Sequence, residues 1–316
     1  MDNIPAPKIF DAVVLSGGGF KGLIELGVLQ YHVEMGTLIL DDIVEFAGTS
    51  IGAACCLLLC VGYLPKDVFH YVCFNDLFEL NDDVVDKSPT KFLPIPNTTL
   101  DPFECVTAGH HTGAMSLEPF LGKLSGLVIK KLGYVPTLGE LFIETGKILN
   151  VSMSNVSKKS EERLYHKTHS NLNCITAVGY SCSLPMVFHK AIHVSGHGDT
   201  NIVADGALVN NFPWDYISSE CRNILGVYLG GNDDDSMFTE GSTLQYLYNL
   251  ITISHTQLTH LRLDNAPENV HLVSCHWPGN IMKFKMTHVE KMKMFVYGWS
   301  CGERCYTTKR ILLEGL

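Results

Sequence analysis

A short apolar run, Ile43 to Ala47, leads through Gly48-Thr49-Ser50-Ile51-Gly52 into the almost wholly apolar stretch Ile51 to Val61. Few sequence features restrict a fold as strongly. The run before the glycine reads as a buried strand. The stretch after it reads as a helix that is apolar nearly all round, and such a helix is enclosed. Joining the two directly requires a sharp turn of small residues. A turn of this kind lifts its central side chain clear of the sheet and sets it at a helix N-terminus, where backbone N–H groups and the helix dipole favour negative charge. The G-x-S-x-G pattern therefore makes Ser50 a candidate nucleophile, with Gly48 and Gly52 as the small neighbours. A chance turn of small residues is the competing reading, and the flanking strand and helix weigh against it.

The same plan precedes it. Ile9 to Leu15 reads as a short buried strand, Gly17-Gly18-Gly19 breaks it, and Leu23 to Met35 reads as a helix. Short apolar strands alternating with helices predict an α/β domain with a mainly parallel central sheet. From Lys66 to Thr112 the pattern loosens, and the prolines at 89, 94, 96 and 102 mark residues 76–115 as a loop-rich insertion. Helices are expected over Leu117–Lys131, from Thr137 (an N-cap whose capping box is completed by Glu140) and over Asn171–Gly179. Strands are expected over Leu149–Val156, Asn201–Ala204 and Ile224–Leu229. Gly230 to Glu240 reads as a polar linker, followed by helices over Thr243–Leu263 and Met282–Trp299. The division that results is a catalytic domain over 9–230 and a mainly helical extension over 231–316 packed on it.

Two further segments carry chemistry. Gly17, Gly19 and Gly22 satisfy G-x-G-x-x-G, which suits a dinucleotide phosphate loop. That reading wants an acidic residue closing the second strand; Glu45 is the nearest, but Gly48 to Gly52 follows at once. The other reading is an oxyanion hole, in which glycine N–H groups approach a reacting carbonyl unobstructed, each donor being worth about 3 kcal/mol. Asp205-Gly206-Ala207 then closes a strand. A serine hydroxyl is a weak nucleophile at neutral pH and needs a base within hydrogen-bond reach; a carboxylate at a strand end can be that base.

In this order, these pieces resemble the patatin-like phospholipase family over roughly Phe10 to Val227. Leu15-Ser-Gly-Gly-Gly-Phe-Lys-Gly is similar to its oxyanion loop (Gly17, Gly18, Gly19, Lys21, Gly22), Gly48 to Gly52 to its nucleophile elbow, and Asp205-Gly206-Ala207 to its D-G-[AG] segment. Ser181-Cys-Ser-Leu-Pro-Met-Val-Phe and Asn210-Asn211-Phe-Pro match the flanks of that segment. The family often has Asp where Ser16 stands. The resemblance implies a three-layer α/β/α fold and a Ser50–Asp205 dyad, with Ser50 attacking a lipid ester and Asp205 taking its proton. Gly18, Gly19 and nearby N–H groups would bind the oxyanion, with no metal and no cofactor. Residues 76–115 would shape the acyl groove or act as a lid.

Composition bounds the partners. A formal net charge of -10 disfavours nucleic acid and gives no general attraction to anionic membranes. The expected partner is a lipid at a membrane or micelle surface, reached by apolar or local peripheral contact. The 11 cysteines, several inside the Ile51–Val61 run, and an N-terminus unlike a secretory signal suit a soluble or peripheral intracellular protein without a membrane-spanning helix. His189, His193 and His197 have helical metal-ligand spacing, but Gly196 and Gly198 oppose a helix there. Cys301 and Cys305 lack a second pair, and Asp233-Asp234-Asp235 lacks the spacing of a calcium loop. The methionines and lysines of 282–294 read as a packed amphipathic helix in preference to a lipid-facing one. Two other functional readings compete: an α/β-hydrolase with a histidine base, and a catalytically silent protein that keeps the fold.

Overall fold

The computed structural model describes residues 9–75, 113–194, 199–230, 243–278 and 286–314. Its centre is an eight-stranded mixed sheet. In chain order its strands are β1 (Ala12–Leu15), β2 (Glu45–Thr49), β4 (Ile148–Asn155), β5 (Ser160–Leu164), β7 (Ala191–Val194), β8 (Thr200–Asp205), β9 (Ile224–Gly230) and β10 (Val270–His276). The spatial order is β10-β9-β1-β2-β4-β8-β7, with β5 also paired to β4. From β10 to β4 every pairing is parallel. Beyond β4 the pairings are antiparallel. A second, two-stranded sheet joins β3 (Gly113–Met115) to β6 (Met186–Phe188).

The helices are α1 (Gly22–Glu34), α2 (Ile51–Cys60), α3 (Pro65–Phe74), α4 (Glu118–Leu132), α5 (Leu138–Thr145), α6 (Cys174–Ser181), α7 (Thr243–Asp264) and α8 (His288–Glu314). Strand alternation sorts β1 between two layers. Val13 and Leu15 join the large core beneath α1, α2, α3, α4 and α8. Ala12 and Val14 face the other way, into a smaller core with Phe212, Tyr216 and Ile224, against which Leu263 of α7 packs. Helices thus lie on both sides of a mostly parallel sheet, the three-layer α/β/α arrangement.

Several local expectations are met within a few residues. Thr137 caps α5 with the full capping box. Asn173 caps α6 by accepting from the N–H groups of Ile175 and Thr176 at 2.9 and 3.2 Å.

Others need correction. The segment after Lys66 does not loosen at once. It forms α3, opened by Pro65, whose fixed φ suits a first helical turn, and held by the buried Val68, Phe69 and Val72. Residues 76–112 of the expected insertion lie outside the described residues, as does the Gly230–Glu240 linker beyond Gly230. The last helix begins at His288, not Met282. Thr287 starts it by receiving the Glu290 N–H on its hydroxyl at 3.2 Å, while the Glu290 carboxylate accepts the Thr287 N–H at 2.9 Å. Met282, Lys283 and Lys285 lie outside the described residues. Lys291 sits inside, its Nζ donating to the Val72 carbonyl at 2.8 Å. A strand was not expected after residue 230: β10 lies parallel beside β9, while α8 packs along α1. Among the described residues no helix is long and apolar enough to cross a membrane.

Candidate active site

The sheet topology brings two distant residues together. Thr49, the last residue of β2, lies opposite Ser152 on β4. β8 runs antiparallel to β4 and ends with Asp205 opposite Met153. Ser50 and Asp205 therefore meet across the end of one strand, at the C-terminal edge of the parallel strands, where open α/β sheets form their ligand crevices.

Ser50 adopts φ 52° and ψ −125°, in the region an L-residue with a side chain enters only under strain of about 1–3 kcal/mol. The flanking glycines make that turn possible. A Cβ on Gly48 would stand 2.6 Å from the Ala53 nitrogen, and one on Gly52 2.5 Å from the Ser16 carbonyl oxygen. The strain is held by hydrogen bonds around it. The Ser50 N–H donates to Ser181 Oγ at 2.8 Å, and that hydroxyl donates onward to the Ser152 carbonyl at 2.6 Å. The preceding Thr49 donates from Oγ1 to the Asn210 carbonyl at 2.8 Å.

The Ser50 hydroxyl donates to Asp205 Oδ2 at 2.7 Å. Its acceptor is thus a carboxylate rather than a histidine. Asp205 is held in turn: Ala207 N–H donates to Oδ1 at 2.8 Å, and Ser154 Oγ donates to the Asp205 carbonyl at 2.7 Å. Burial pushes the Asp205 carboxyl up to about 6, with the bonds from Ser50 and Ala207 pulling the other way. Such a group is ionised at neutral pH yet close enough to it to accept a proton. The Cys182 thiol, next to the dyad, is raised well above its ordinary range by burial and by Asp205, and stays neutral.

Among the glycine-loop residues the structure separates the roles. The Gly17 N–H is engaged by Asn211, at 3.0 Å to Oδ1 and 3.3 Å to the carbonyl. The Gly22 N–H points back to the Gly19 and Phe20 carbonyls as a helix cap. Lys21 is buried and its N–H donates to the Gly18 carbonyl at 3.1 Å. This leaves the Gly18 and Gly19 N–H groups, with those opening α2, as the candidate oxyanion donors. Glu45 does not serve a nucleotide site: it begins β2, at the far end from Ser50, and accepts the Ser218 N–H at 2.9 Å. A narrow apolar cleft with a cavity volume of about 50 Å3 adjoins the loop, lined by Phe20, Ile51, Leu58, Val72, Phe120 and Leu124 among others. Ile51 directly follows Ser50, so the cleft begins beside the candidate nucleophile.

Of the residues singled out from sequence, Ser50, Asp205 and the three glycine-containing segments converge. His193 instead packs against His169 and Tyr180, with ring centroids 5.9 and 5.3 Å away; His197 and Asp233 to Asp235 lie outside the described residues. Thr49 and Ser181 lie in segments that carry the resemblance, but their supporting bonds, like the part played by Ser152, were not foreseen. Hydroxyls aimed at backbone carry no sequence pattern of their own.

Comparisons with known proteins bear on the family and the fold. A family model described as patatin-like phospholipase matches residues 13–217. A probable lipid hydrolase, 463L, of Invertebrate iridescent virus 6 is 27% identical over 212 residues, covering 66% of this chain and 63% of that protein. Triacylglycerol lipase 4 of Saccharomyces cerevisiae is 32% identical over 183 residues, 56% of this chain but 18% of the lipase. The chain thus spans less than two thirds of these relatives. Among solved structures, VipD from Legionella pneumophila superposes with a TM-score of 0.56 at 17% identity, covering 95% of this chain and 67% of that one. The type III effector ExoU gives 0.52 at 14% identity, covering 97% and 54%.

Proposed function

The chain belongs to the patatin-like phospholipase family, and from that premise we propose that it is a serine lipid acyl hydrolase acting through a Ser50–Asp205 dyad. The substrate is a carboxylic ester of a phospholipid or related lipid, met at a membrane or micelle surface. The observation that carries this reading is the 2.7 Å hydrogen bond from the Ser50 hydroxyl to a buried carboxylate, at a strained turn beside an apolar cleft.

The acyl chain lies in the cleft between α2, α3 and α4, and the ester carbonyl reaches Ser50. Ser50 Oγ attacks the carbonyl carbon as its proton passes to Asp205 Oδ2. The carbonyl oxygen becomes an oxyanion and is met by the N–H groups of Gly18 and Gly19, helped by the N-terminus of α2. The tetrahedral intermediate collapses: the ester bond to the alcohol breaks, and the alkoxide takes the proton from Asp205. Water then attacks the acyl-enzyme, again with Asp205 as base, and releases the fatty acid. Ser50, Asp205, backbone N–H groups and water account for every proton and charge, so no cofactor is called on. Residues 9–230 are the proposed catalytic domain, and the lipase and lipid-hydrolase names of the relatives support a lipid ester as substrate.

The test is a mixed lipid panel with released fatty acids identified by mass spectrometry. Wild type is expected to release fatty acid, with Ser50→Ala and Asp205→Asn reduced to background. Equal release by Ser50→Ala would refute the dyad, and no release by any form would favour a silent lipid-binding protein.

A further inference from the structure

The segment Asp205–Asn211 touches every part of the site. It begins with the base, and the Asn210 carbonyl accepts from Thr49 Oγ1 at 2.8 Å and Ser152 Oγ at 3.2 Å. Asn211 takes the Gly17 N–H of the glycine loop. On its other side the same segment is anchored through one side chain. Asn210, fully buried, donates from Nδ2 to Glu161 Oε1 at 2.7 Å and to Asp215 Oδ1 at 3.0 Å. Two carboxylates converging on one amide nitrogen repel each other, the more so when partly shielded from water.

Arg262, near the end of α7, lies across both. Its Nη1 donates to Asp215 Oδ2 at 2.8 Å and its Nη2 to Glu161 Oε2 at 2.5 Å. The guanidinium's planar fork suits two acceptors at once. Its backbone is fixed as well, since Trp214 Nε1 donates to the Arg262 carbonyl at 2.9 Å. The neighbouring Arg163 is committed elsewhere, with Nε and Nη2 both on Asn150 Oδ1 at 2.9 and 2.7 Å. Arg262 also lies past residue 217, where the family match ends.

We infer that Arg262 is a positioning residue for the reaction. By neutralising Glu161 and Asp215 it lets both carboxylates hold Asn210, and Asn210 in turn fixes the elbow that presents Ser50 to Asp205. Arg262 itself touches neither substrate nor dyad. This inference rests on Ser50 being the nucleophile.

The experiment measures the rate at which a fluorophosphonate labels Ser50 in the full chain, normalised to folded fraction by circular dichroism well below the unfolding temperature. Wild type labelling at Ser50 establishes the underlying reading; its absence would sink that reading and not merely this one. Given wild-type labelling, Arg262→Met is expected to label about 10- to 100-fold more slowly, the loss typical of a misplaced reacting group. Arg262→Met combined with Asp215→Asn, which removes the repulsion, should recover much of the rate. With a lipid substrate, kcat should fall while KM holds, a split that simple loss of folded protein does not produce. Labelling of folded Arg262→Met within two-fold of wild type would overturn the inference. Should Arg262→Met fail to fold, Arg262→Lys carries the test, because an ammonium keeps the charge but lacks the planar fork that spans both carboxylates. A rate several-fold below wild type supports the role, and a wild-type rate rejects it.

Discussion

As the proposed base, Asp205 is under two opposed demands. Catalysis wants a carboxylate that is ionised near pH 7, while burial penalises that charge. The compromise, a carboxyl pushed up to about 6 against 3.8 for an exposed aspartate, is worth about 3 kcal/mol. Below about pH 4 both folded and unfolded chains carry the proton, and the fold keeps this stability. As pH rises through 6 it is lost, because the folded chain must give up a proton that the unfolded chain lost earlier. Three results should follow. The acid limb of kcat/KM should have its midpoint near pH 6, read from a pH-rate profile. Asp205→Asn should lower kcat/KM by at least about 100-fold, the scale of a general base. The same variant should melt higher than wild type at pH 7 to 8, and thermal scans across pH should show that advantage fading below about pH 4. Asn at this position can still accept from Ala207 N–H and pair with Ser50, so the gain comes from removing the buried charge.

Two elements set the limits of the site. The cleft lies between α2 and α4, and Leu124 on α4 is buried in its wall. Leu124→Trp should fill space needed by a long acyl chain. Hydrolysis of esters of decreasing chain length should then shift toward short chains, while fluorophosphonate labelling of Ser50 stays near wild type. α1 is buried along almost its whole length because α8 crosses it at glycines: a Cβ on Gly27 would lie 2.1 Å from the Phe295 carbonyl oxygen, and one on Gly298 2.0 Å from that of Ile24. Gly27→Val should cost about 3 kcal/mol or more, read as a lower denaturation midpoint, since backbone cannot yield as a side chain can. Elements of this kind differed in how plainly the sequence announced them. The β2–α2 elbow, α1 and the capped α5 were legible because apolar run, glycine break and cap all point the same way. α3 was hidden by attention to the prolines that follow it, though Pro65 and the Val68, Phe69, Val72 spacing mark it. β5 and β10 were not read: the charged Ser160–Leu164 pairs only with β4, and β10 forms the rim of the sheet, so neither shows the continuous apolar run of a central strand.

At the scale of the whole molecule, the sheet order turns three weak sequence signals into one site. Parallel β1 and β2 carry the glycine loop and the elbow to the same edge, and the reversal of direction beyond β4 returns β8 so that Asp205 ends there too. The residues proposed to react stand out in the sequence because each sits in a turn with its own glycine pattern. Their supports could not, since the bonds from Ser181, Asn210 and Arg262 span long stretches of chain and depend on folding alone. The same packing makes β10, on the sheet edge, and α8, against α1, part of the molecule's frame. The proposed role of this frame is to activate one serine, Ser50. Its most direct test is treatment of the folded protein with a fluorophosphonate, followed by intact-mass measurement and peptide mapping. A single adduct on Ser50, absent from Ser50→Ala and formed far more slowly in Asp205→Asn, is the predicted result. An adduct on another residue, or equal labelling of wild type and Ser50→Ala, would contradict it.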